Sequence, residues 1–343
     1  MILVFTIAVG GSYYLIEAKE SSINQKVNAG TTNDTMVIPG GMPVGIYLET
    51  KGVMVLGTDK VKSKSGMLCE PAKHLVKAGD YIQKINSQKV ETKKELVEVI
   101  SDLDRCEVIL QIDRDGEEID IKLDAVEWKK DEYKLGIWVR DNAQGLGTIT
   151  YLTSESEFGA LGHGIHDVDT NQLLEISSGR VYTTSIRDIK KGEYGIPGGM
   201  EGIIVYNNYN ILGTIEENTD AGIFGRIDRV DTLFTEQIPV EIATKEEIKE
   251  GKAIIQCAVE GEVKEYEVKI TKVDLDTKEI NKGIVLEITD KKLLEVTGGI
   301  VQGMSGSPII QEGKLIGAVT HVLVNDPTRG YGIFIENMLE AEE

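Results

Sequence analysis

Cysteine is nearly missing from this chain: Cys69, Cys106 and Cys257 are the only three in 343 residues. Odd in number and widely spaced, they make neither a zinc knuckle nor a disulfide framework. Basic residues are in deficit, 37 Lys and Arg against 57 Asp and Glu, for a net charge of −20. That balance argues against nucleic acid and against an anionic membrane surface as partners. Aromatic residues are sparse at 6%. Histidines number four, so any imidazole base must be His74, His163, His166 or His321. Long apolar runs are also lacking. The longest candidate, Ile2 to Ile16, falls short of the roughly 20 residues a spanning helix needs and has no Lys or Arg before it. A polar stretch rich in Ser, Asn and Thr follows. We read residues 1–16 as an export signal or membrane anchor and 17–35 as a linker.

What the chain does have is glycine, 37 residues of it, and short runs of β-branched residues. That mixture suits many short strands joined by tight turns. The densest chemistry lies in Gly303-Met304-Ser305-Gly306-Ser307-Pro308. Glycines on both sides let the backbone expose a serine and turn the Gly303 and Ser305 amides toward one oxyanion. A serine hydroxyl needs a base, and Ala160-Leu161-Gly162-His163-Gly164 offers an imidazole with room to reach it. His163 and Ser305 are therefore the candidate base and nucleophile. His166, Asp167 and Asp169 follow closely, but the loose His spacing and the absence of a nearby Cys argue against a metal, and no cofactor is expected. His321 ends an apolar strand and is a candidate for a pocket wall or a core histidine.

Residues 36–126 read as a small domain. Thr92 with Glu95 three residues on is a capping box for a helix over Glu91 to Leu103. Asp113-Arg114-Asp115-Gly116 is the turn of a hairpin between Val108–Ile112 and Glu118–Leu123. The element order and the segment GDYIQKINSQKV resemble a PDZ domain. Such domains receive an extended peptide at a sheet edge, its terminal carboxylate on a loop of backbone amides. By position that loop is Pro43, Val44, Gly45 and Ile46, although Pro43 lacks an amide proton. From residue 127 to 343 strand follows strand, including an expected hairpin around Ser177-Ser178-Gly179 and a flap over Pro197 to Gly202. About a dozen short strands suit a double β-barrel. The fold expected is mainly β, a PDZ domain followed by a chymotrypsin-like double β-barrel.

With those residues in view, the runs FGALGHGIHD and GGIVQGMSGSPIIQEGKLIGAVTHVLVNDPTRGYGIFIENM are similar to the stage IV sporulation protein B peptidases of endospore-forming bacteria. The resemblance implies a serine endopeptidase with His163 and Ser305 catalytic and with Asp290, fifteen residues before the serine, as the acid. It implies an exported, membrane-associated signalling protease in the space between forespore and mother-cell membranes. Its implied substrates are its own N-terminal region and a membrane regulator, so that an intramembrane protease can activate a sigma factor. From chain order alone, Asp220 and Asp228 are rivals to Asp290, a His163–Ser305 dyad without an acid is a further alternative, and Asp290 doubles as a helix N-cap before Lys291. Two other classes stay open: an extracytoplasmic quality-control protease with a PDZ domain, and a non-catalytic PDZ scaffold.

Overall fold

The structure, a computed structural model, describes residues 36–234 and 237–342. The expected signal and linker, 1–16 and 17–35, lie outside the described residues. The fold is mainly β and separates into two compact units. One takes residues 36–46, 145–165 and 180 onward; the other takes 47–144 and 166–179. The chain changes unit at 46/47, 144/145, 165/166 and 179/180. Two long strands, Pro43–Thr58 and Ile137–Leu152, carry the chain across those boundaries.

In the larger unit six antiparallel strands close on themselves. Gly251–Cys257 pairs with Lys264–Val273, which pairs with Ile284–Ile288, then Asp326–Phe334, Lys314–Leu323 and Pro308–Gln311. Pro308–Gln311 returns to Gly251–Cys257 through Ile254 opposite Ile310. Closure leaves no unpaired edge in this ring. Period-two alternation sends Ala253, Ile255 and Cys257 inward with Tyr266, Val268 and Ile270. Lys314–Leu323 breaks the alternation, being buried from Leu315 to Thr320. The reason is that it has a core on each face: Ile316 and Val319 belong to the ring interior, Leu315 and Ala318 to a second cluster with Tyr151, Phe224 and Ile333. This strand is a shared wall. Around the second cluster Met36–Pro39 pairs with Ile137–Leu152 and with Val240–Ile242. Glu157–Ala160 bridges Ile137–Leu152 to Gly222–Ile227, which forms a hairpin with Ile211–Thr219.

The smaller unit packs Val53, Ile82, Leu96, Leu110, Ile112 and Leu123 into its own core. Its helix spans Lys93–Ser101, with the capping box between Thr92 and Glu95 in place. Asp115 and Gly116 both take positive φ between strands Glu107–Arg114 and Glu117–Asp124, as a tight hairpin turn demands.

Three expectations need correction. Pro43 to Ile46 is no carboxylate loop: these residues open a strand of the larger unit, with Val44 and Ile46 buried and Gly45 against the Ile204 side chain. Ser177 to Gly179 is no turn. It lies within strand Ile176–Tyr182, where the Ser177 hydroxyl donates to the Thr50 carbonyl and Ser178 to the Glu49 carboxylate. Pro197 to Gly202 is no free flap, because strand Gly199–Ile204 pairs with Thr184–Lys190.

Candidate active site

Ser305 sits on the loop that enters strand Pro308–Gln311. Gly303 and Gly306 take φ of 98° and 95°, which a side chain would strain. Gly306 also leaves no space, since a Cβ there would overlap the Thr148 carbonyl and crowd the Leu161 backbone. The loop is fastened at several points. Thr148 donates its hydroxyl to the Gly303 carbonyl (2.7 Å) and its amide to the Ser305 carbonyl (3.2 Å). The Gly306 amide donates to Val319 on the shared wall (2.7 Å). Gln302 exchanges two 2.9 Å backbone bonds with the Gly198–Met200 segment. The amides of Gly303 and Ser305, by contrast, donate to no group among the described residues. Two unengaged donors, one of them the serine's own, are what an oxyanion hole requires.

His163 follows the turn Ala160-Leu161-Gly162. Leu161 is itself at φ 69°, a strained conformation held by its own burial. Gly162 is pressed against Ile333, Thr320 and Ala318, which sets the histidine loop on the shared wall. The His163 Nδ1 lies 2.9 Å from the Gly164 carbonyl oxygen. A carbonyl only accepts, so this contact requires a proton on Nδ1 and, in the neutral ring, makes Nε2 the basic nitrogen. The nucleophile and histidine loops therefore meet through Gly306 and Leu161, and both rest on one strand. In this conformation the Ser305 hydroxyl donates to the Thr320 carbonyl (2.7 Å). The next residue, His321, places its ring 5.0 Å from that of His163.

The three acids fall in different places. Asp290 caps the helix Lys291–Thr297, accepting from the Leu293 amide (2.8 Å). Its own amide donates to Glu267, and its charge acts on the Cys257 thiol and the Tyr266 hydroxyl. The structure does not bring it to His163. Asp228 lies past the Ser156 end of strand Gly222–Ile227, and burial raises its carboxyl above the usual range. That strand's length, about 20 Å at ~3.3 Å per residue, separates it from the other end. Asp220 occupies that other end. The Asn218 side chain there clamps Ile165 on both sides, accepting from its amide (2.8 Å) and donating to its carbonyl (2.9 Å). Gly222 approaches Ala160 and Gly162 so closely that a Cβ would overlap them. Asp220 thus stands on the turn that grips the His163 loop.

Asp167 and Asp169 both pair with the Arg140 guanidinium. Burial alone would raise the Asp167 carboxyl, yet amide bonds from Thr170 and Asp169, with the charge of Arg140, hold it below its usual value. Sequence reasoning missed Thr148, Thr320 and Asn218. Each acts through a long-range contact, and no local pattern marks a Thr in a strand as a loop tether.

The model for the SpoIVB peptidase S55 family matches residues 131–339. The chain belongs to that family. It is a serine peptidase. Among curated proteins none matches it. Among solved structures, the active form of the Rv3671c protease from M. tuberculosis is similar at 10% identity, over 59% of this chain and 73% of that one, with a TM-score of 0.32. The inactive form of the same protease gives 12% identity, 57% and 81% coverage and a TM-score of 0.29.

Proposed function

We propose that Ser305 is the nucleophile and His163 the general base of this peptidase, with Asp220 as the carboxylate that supports the imidazolium. The observation that carries the reading is the pair of unengaged amides, Gly303 and Ser305, beside a serine whose loop is locked to the histidine loop. A rotation about χ1 of Ser305 moves its proton from the Thr320 carbonyl to the unprotonated imidazole nitrogen. The oxygen then attacks the scissile carbonyl, and the two amides receive the developing negative charge. His163 returns the proton to the leaving amine, and water repeats the cycle on the acyl-enzyme. Chain order His163, Asp220, Ser305 puts base and acid before the ring and the serine on it, consistent with a double-barrel peptidase. Asp290, expected from the family resemblance as the acid, is already occupied in a helix cap.

The smaller unit, with its capped helix and hairpins, supports a PDZ-like domain that handles substrate. The family supports a sporulation-signalling role, with the enzyme anchored outside the cytoplasm and cutting itself and a membrane regulator. A fluorophosphonate probe tests the chemistry. Purified protein is expected to be labelled at Ser305 and to lose peptide cleavage with it, while Ser305→Ala loses both, by roughly 10⁶-fold in rate. Cleavage persisting in clean Ser305→Ala protein overturns the assignment.

A further inference from the structure

The acidity of the chain is not evenly spread. Between residues 59 and 74, within the smaller unit, Lys60, Lys62, Lys64 and Lys73 outnumber Asp59 and Glu70. The segment holds a two-stranded hairpin, Val61–Lys62 with Leu68–Cys69, in which Lys62 stands opposite Leu68. Val61 is buried, so the alternate face, carrying Lys62 and Leu68, is turned to solvent. Met67 and Leu68 are each 64% exposed, and Trp138 is 63% exposed. Trp138 belongs to the same surface, because its indole Nε1 donates to Asp59 (3.3 Å) and the Asp59 amide bonds Gly136 (2.8 Å). The tip is held by its own bonds: Ser63 amide to Met67 carbonyl, Met67 amide to Ser63 hydroxyl, Gly66 amide to Ser63 carbonyl. Lys64 is tied to Glu127 (3.0 Å), whereas Lys60 and Lys62 make no ion pair among the described residues.

We infer that this hairpin and Trp138 form a docking surface for an anionic phospholipid bilayer. Two large apolar side chains exposed on a hairpin flanked by lysines unpaired among the described residues suit the headgroup boundary of a bilayer, which is apolar below and anionic above. An indole is at home at that depth, and lysines behind the apolar tip meet the phosphates. This local cluster runs against the net charge of −20, which taken alone argues against an anionic surface. At physiological salt, charges more than about 8 Å from the surface are largely screened, so the local excess of lysine governs contact.

The test uses the full chain carrying Trp128→Phe, which leaves Trp138 as the reporter. Its fluorescence is followed on vesicles of phosphatidylcholine with phosphatidylglycerol whose acyl chains are brominated. The expected result is quenching of Trp138 that needs phosphatidylglycerol and weakens with salt. Met67→Asp with Leu68→Asp should lower the partition coefficient about tenfold or more, and Lys60→Glu with Lys62→Glu should do likewise. Peptidase activity on a soluble peptide reports that each variant is folded. Equal quenching in the variants, or on phosphatidylcholine alone, overturns the proposal. So does sedimentation of the chain with vesicles without quenching of Trp138, since another segment then does the binding. A Trp138 response to a soluble acidic polypeptide and none to vesicles replaces the bilayer with a protein partner and also overturns it.

Discussion

Asp290 and Asp220 stand on different elements, one at the start of a helix and one at the turn of a hairpin. Asp290 accepts from the first turn of a helix (2.8 Å), and removing that bond frees a helix amide without touching the histidine. Asp290→Ala is therefore expected to cost about 1 kcal/mol in denaturant unfolding and to leave kcat near its starting value. Asp220→Asn is expected to do the reverse, lowering kcat by ~10²-fold or more with little change in stability. The loss should fall short of the ~10⁴ seen for a buried acid, since Asp220 is exposed and water screens its charge. Steady-state kinetics and urea melts on the two variants separate the roles; a large kcat loss in Asp290→Asn alone would restore the other assignment. His163 and Ser305 were legible in the sequence because glycine brackets them, and glycine is demanded locally. Chain order named Asp220 and Asp228 alike as rivals to Asp290; the choice between them was not legible, because nothing in a sequence says which end of a hairpin faces a loop 57 residues away.

Elements with a local cause were read most accurately. The capping box and the Asp115-Gly116 turn announce themselves, and both formed. Ser177-Ser178-Gly179 misled because its hydroxyls satisfy a neighbouring strand instead of their own turn. The loop after Cys257 gives a further test. Glu260 receives Lys292 and Lys264 hydrogen bonds that pull its carboxyl down to about 2, and the Tyr266 hydroxyl also donates to it (3.2 Å). A depressed carboxyl stabilises the fold above its ordinary value near 4.5, and that contribution fades as pH drops toward 2. The gap in Tm between wild type and Glu260→Gln should thus be present at pH 7 and narrow as pH falls below 4.5; a gap independent of pH would contradict the pairing. The nucleophile loop is less forgiving. Gly306→Ala must overlap the Thr148 carbonyl, so destabilisation of ~3 kcal/mol or more is expected, read as a lower melting temperature with loss of fluorophosphonate labelling.

Across the whole molecule, the unit boundaries decide which truncations survive. Met36–Pro39, the start of the expected small domain, is a strand of the peptidase unit and buries Val37 and Ile38 there. A chain beginning at Trp128 is expected to yield no folded, probe-reactive protein, whereas one beginning at residue 36 should keep the reactivity. Labelling of the shorter chain at the wild-type rate would show that the strand is dispensable. Composition could indicate strands and two domains, but not that one domain's first strand would precede the other domain.

The tether between Thr148 and Gly303 spans 155 residues of chain, and Thr320, which holds the Ser305 hydroxyl, lies farther still toward the C-terminus. Contacts so remote in sequence form late, after the whole unit has been made and collapsed. A nascent chain that has not reached residue 303 therefore carries a histidine loop with no nucleophile and no wall to rest on. The hydrolase is assembled only once residues 303–320 have been made and packed, and a shorter nascent chain cannot digest itself or its neighbours.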